Sequence, residues 1–232
     1  LFQGRSQNGQ NCVVALDNGA FPDTPRIRIG RISLFRLSGL TATVAILTVL
    51  AAISANGFSE NGFRLGSQLA WRFTFFVFFA MLAAGPVCNL APFGLCRCLG
   101  PQRRQLVWSF CAAFDVYLLS VFLPNLLLPS SLHQDGVSGG MALFVLFGGA
   151  LAASMAYVTT QGAAALLGER AQRAILAVAA SYFWLCYALA GLERISGPHR
   201  PDLFSNVSLS LMIVALLLRF ADRFKMKWTG AD

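Results

Sequence analysis

The chain has 232 residues, of which 56% are hydrophobic and only 12% charged, with a formal net charge of +8. A soluble domain carries about 25% charged residues, so this chain has too little polar surface to cover a globule in water. Its basic residues are scattered between apolar runs rather than gathered into a patch, a pattern that belongs to membrane topology and excludes nucleic acid as the partner.

Leu1-Phe2-Gln3-Gly4 reads as the remnant of a viral 3C-type protease site from an expression tag and is set aside. Residues 5–37 are expected to form a cytoplasmic, partly interfacial segment. Asn18-Gly19, Pro22 and Pro25 keep its first part out of a membrane span, and Arg26-Ile27-Arg28-Ile29-Gly30-Arg31-Ile32 is placed at the anionic inner surface, where each cation contributes about 1 kcal/mol. Six apolar stretches follow, at roughly 38–57, 67–90, 105–128, 139–160, 172–192 and 204–222, each near the ~20 helical residues that cross a hydrocarbon core of about 30 Å. None alternates as a barrel strand does, and backbone in lipid must bond internally, so each is predicted to be a helix. Polar connectors such as Gln134-Asp135-Gly136 and Gly197-Pro198-His199-Arg200-Pro201 separate them. The expected fold is all-α, a six-helix transmembrane bundle over 38–222 with a basic cytoplasmic tail at 223–232.

Orientation follows from the Lys/Arg bias. With the N-terminus inside, 14 basic residues fall on the cytoplasmic side and 3 outside, namely Arg64, Arg194 and Arg200, while Arg72 lies within a span. Both termini are therefore expected in the cytoplasm, with the chain in a cell membrane of the bacterial inner-membrane kind.

Apart from Arg173, Arg219 and Asp222 at the cytoplasmic span ends, two charges sit inside predicted spans. Asp115 lies ~15 Å deep at 1.5 Å per residue, close to the midplane, where a lone carboxylate costs about 2.5–3.5 kcal/mol and marks a candidate functional site. Arg72 lies nearer the outer end of the second span, and helical side chains lean toward their own N-terminus. That sends Arg72 outward and Asp115 inward, so the two are not expected to pair. Ser181 and Tyr182, at matching depth on the fifth span, are the expected partners of an Asp115 that faces the bundle interior and is held neutral.

Most catalytic signatures are absent. Neither HExxH, GxSxG, a P-loop nor a dinucleotide-binding glycine pattern occurs, so no catalytic residue is expected. The two histidines, His133 and His199, fall in connectors rather than spans, which leaves no bis-histidine haem site. Cys96-x-Cys98 lacks the C-x-x-C spacing of zinc and redox sites, and no metal or other cofactor is expected. The small residues of Gly148-Gly149-Ala150-Leu151-Ala152-Ala153-Ser154 let helices approach closely.

Gln68-Leu69-Ala70-Trp71-Arg72-Phe73, leading to Gly85-Pro86, resembles the early helix of ferric-reductase-like transmembrane domains. That family includes the haem subunit of bacterial periplasmic methionine sulfoxide reductase, ferric reductases and NADPH oxidases. Arg103-Arg104 before the third span, and Leu167-Gly168 with Arg173 before the fifth, are similar to the family pattern. The resemblance covers roughly residues 35–222 and implies six helices with cytoplasmic termini. It departs where the family carries haem histidines: Tyr117 stands on the third span, and the fifth-span positions fall at Ile175 and Ala188. The expected function is thus a haem-free, non-catalytic bundle, acting as a membrane partner, assembly factor or small-ligand binder beside a membrane or cytoplasmic protein. The alternatives are a transporter or proton conductor using Asp115, and a haem-dependent oxidoreductase with Tyr117 as a phenolate ligand.

Overall fold

The computed structural model describes residues 34–90, 103–127, 139–196 and 203–229. Among them are six helices and no strand: α1 (Leu34–Asn56), α2 (Glu60–Leu90), α3 (Arg103–Leu127), α4 (Gly139–Val158), α5 (Gln161–Ser196) and α6 (Leu203–Thr229). Five of the six are long and apolar enough to cross a membrane, and the chain is a multi-pass membrane protein. The remaining helix, α4, has 20 residues, but its described apolar core, Phe144–Val158, is shorter than the other spans. The interfacial segment expected at 26–32, the Cys96–Cys98 pair and both histidines lie outside the described residues.

The helix ends follow local chemistry. Ser59 accepts a hydrogen bond from the Gly62 amide at 3.3 Å, and Thr160 accepts one from the Ala163 amide at 3.3 Å; both are N-caps in the usual three-residue register. The corner between α1 and α2 is tight: a Cβ on Gly62 would overlap the carbonyl oxygen of Gly57. Pro86 and Pro124 fall within the last turns of α2 and α3, where a missing N–H interrupts little remaining helix. Gly168 has φ 69° and ψ 158°, a conformation open mainly to glycine, and it separates a short first segment of α5, about two turns long, from the long span that follows.

Helix–helix contacts run from α2 to α3, α4, α5 and α6 and back to α2, so these five close a ring, while α1 packs from outside against α2 and α3. Each seam of the ring carries a hydrogen bond. The Thr74 hydroxyl, besides bonding within α2, donates across to Ala113 O of α3 at 3.2 Å. The Cys111 thiol donates to Ala152 O of α4 at 3.2 Å, the Tyr182 hydroxyl to Phe144 O of α4 at 3.4 Å, and Trp184 Nε1 to Met212 O of α6 at 3.3 Å. The Lys225 ammonium closes the circuit by donating to Asn89 O at 2.8 Å. Bonds of this kind contribute about 0.6 kcal/mol each on average in membranes, so they fix the order of the helices more than they hold them together.

The holding is done by aromatic packing inside the ring. Phe75, Phe78, Phe110, Phe114 and Phe183 are all fully buried. Phe183 of α5 has ring centroids of Phe110 at 4.9 Å, Phe114 at 5.0 Å and Phe78 at 6.0 Å, mostly edge-to-face, the arrangement favoured by the ring quadrupole. Gly148 of α4 admits this cluster: a Cβ there would stand 3.0 Å from Phe114.

Candidate functional site

The structure separates the polar residues that the sequence analysis groups together. Asp115 lies at the midpoint of α3 and is exposed on the outside of the ring. The expected inward orientation is therefore corrected. The reason is angular: Cys111, Phe114 and Tyr117 take the buried side of α3, and Asp115 shares the outward side with Leu119 and Phe122. Ser181 is likewise exposed, and Tyr182, half-buried, spends its hydroxyl on Phe144 O. Asp115 makes no hydrogen bond or ion pair with either, nor with Arg72, among the described residues.

Arg72 is half-buried in α2, with its guanidinium carbon 4.9 Å from the ring centroid of Phe204 in α6, a cation–π distance. Tyr117 is buried, its ring 5.1 Å from Trp71 and 5.8 Å from Phe114. The family resemblance implies a haem between the helices, and these residues do not fit one. The centre of the ring is filled by phenylalanine side chains, no described residue is a histidine, and Tyr117 faces other aromatic rings. No group of three or more His, Cys, Asp or Glu able to hold a metal occurs among the described residues.

A concave polar feature lies between α2, α5 and α6 near the C-terminal end of α5. It is lined by Trp71, Tyr187, Gly191, Arg194, Ser205 and Ser208, among others, and its free volume of about 10 Å³ is that of a single water-sized guest. The Trp71 and Tyr187 rings, their centroids 4.2 Å apart and tilted by 33°, form its wall. Tyr187, Gly191 and Arg194 share one face of α5 at helical spacing, as do Ser205 and Ser208 on α6. Sequence reasoning singled out none of these five as site residues, because no pattern along the chain joins the α5 stripe to the two α6 serines.

Neither a family model, nor a curated protein, nor a solved structure matches this chain, so the reading of its sites rests on their own geometry.

Proposed function

We propose that this chain is a haem-free, non-catalytic subunit of a membrane assembly, a bundle of the ferric-reductase-like kind that docks another transmembrane helix against the outward face of α3. The observation that carries the reading is the outward Asp115. A carboxylate facing hydrocarbon at mid-helix costs about 2.5–3.5 kcal/mol, and a partner helix that brings a Lys, Arg or hydroxyl donor to the same depth removes that cost. Leu119, 64% exposed, and Phe122 continue the same face one and two turns on, giving the partner an apolar bed around the polar point. The transport reading gains no support from this geometry, since Asp115 lies outside the ring and the ring's centre is packed.

A photo-crosslinking residue at Leu119, used in native membranes, is expected to give one protein adduct of defined mass that disappears with Asp115→Leu. The same probe at Leu217 on α6, 60% exposed, is expected to capture lipid only. Lipid adducts alone from both positions would sink the partner reading, and stoichiometric haem in a pyridine haemochrome assay would sink the haem-free part of it.

Cytoplasmic termini in a bacterial inner membrane belong to the same proposal, supported by the 14-to-3 distribution of Lys and Arg. Cysteines placed at Asn61, Gln134 and Gly197 are expected to react with an impermeant maleimide from the outer side. Reaction from the cytoplasmic side alone reverses the orientation.

A further inference from the structure

Two buried hydroxyls near the C-terminal end of α5 have no hydrogen-bond partner among the described residues. They are Tyr187 Oη, in a residue 3% exposed, and Ser205 Oγ, in a residue 1% exposed. Both residues line the same small cavity. Buried hydroxyls are nearly always satisfied, so two orphans on one cavity point to a guest that supplies what both lack.

The cavity's chemistry says what kind of guest. The Ser208 hydroxyl already donates to Ser205 O at 3.0 Å, which leaves the Tyr187 and Ser205 hydrogens as the unused donors. Arg194, an exposed residue on the same α5 face, brings a guanidinium to the lining, and no carboxylate is among the lining residues. Calcium and magnesium sites are built from carboxylate and carbonyl oxygens, and nothing of that kind is gathered here. Ser205 also lies in the first turn of α6, where the helix dipole favours negative charge. The cavity's free volume is about 10 Å³, room for one small guest, and a monatomic halide, somewhat larger than water, is the anion that enters with the least displacement. We propose that this cavity binds one small monovalent anion of halide size, held by the Tyr187 and Ser205 hydroxyls beside the Arg194 guanidinium. The proposal is independent of the partner-docking reading, which concerns α3.

The test uses the purified full chain, exchanged into gluconate buffer and titrated with bromide at constant ionic strength. Bromide is expected to raise the unfolding temperature saturably, and anomalous diffraction from bromide-grown crystals is expected to place one bromide between Tyr187 and Ser205. Tyr187→Phe and Ser205→Ala each keep most of the packing and remove one donor. Each is expected to weaken the bromide response at least tenfold while leaving the unfolding temperature in gluconate near that of the parent; Arg194→Gln is expected to weaken it as well. Equal unfolding temperatures in bromide and gluconate would overturn the proposal. So would a lone water at the anomalous-silent site, or a bromide response that survives in the Tyr187→Phe, Ser205→Ala double variant.

Discussion

Phe183→Ala is expected to destabilise the bundle by about 2–3 kcal/mol, toward or below the low end of the range seen for buried aromatic truncations in water-soluble cores. The ring of Phe183 touches those of Phe78, Phe110 and Phe114 and stands beside Gly148, so its removal leaves a void bounded by three helices besides its own. In a soluble protein two terms add: transfer of the side chain from water, and the cavity left behind. Helices that separate in a membrane still face lipid, as apolar as the core they leave, so the transfer term falls away and the lost packing remains. The measurement is the unfolding midpoint in an SDS titration of the detergent-solubilised protein. Leu217→Ala, on the exposed side of α6, is the control and is expected to change it little. Equal midpoints for the two variants would mean that the aromatic cluster does not hold the ring together.

The same cluster shows why some of this molecule is legible in its sequence and some is not. Membrane spans announce themselves by length and hydropathy, and the six apolar stretches coincide with the six helices because a segment that does not alternate as a barrel strand satisfies its backbone in lipid only as a helix. The helix ends are less legible. α5 begins at Gln161, well before the apolar stretch at 172–192, because a short helical segment precedes the break at Gly168 and the long span starts with polar residues, where Arg173 pairs with Glu169 one turn earlier at 2.7 Å. α6 continues through the polar residues to Thr229, and there Asp222 and Lys225 meet Asn89 at the end of α2. The facing of each helix is the least legible feature. α3 presents phenylalanine to the ring's centre and leucine and phenylalanine to the outside, so no polar stripe separates its two sides. The expectation for Asp115 came instead from the cost of an unpaired carboxylate, an argument that holds only if the six helices are the whole assembly. The α5–α6 cavity was illegible for a related reason: serine, tyrosine and glycine are ordinary packing residues in membranes, and only their convergence in space distinguishes them.

Replacing Asp115 by leucine separates the two orientations of that carboxylate. An inward Asp115 with hydrogen-bond partners predicts that leucine weakens the folded bundle. An outward Asp115 predicts something different, because the side chain faces lipid both in the folded bundle and in separated helices. The folding equilibrium of the isolated protein is then expected to change by less than about 0.5 kcal/mol, as for a surface substitution. The cost instead sits in insertion. Removing about 2.5–3.5 kcal/mol from the α3 segment is expected to improve its membrane insertion roughly a hundredfold, at 1.4 kcal/mol per decade. Glycosylation mapping in a host segment balanced to insert half the time reads this directly. The third consequence concerns function. If, as proposed, Asp115 is met by a donor on another transmembrane helix, Asp115→Leu is expected to give a protein that inserts better, folds equally well and fails to bind that helix. Asp115→Asn keeps the shape and a hydrogen-bonding amide, and is expected to retain part of the association if the partner offers a hydroxyl, and to lose it if the partner offers a cation. A bundle that unfolds more readily with leucine at this position would return Asp115 to the interior and remove the basis for the docking face on α3.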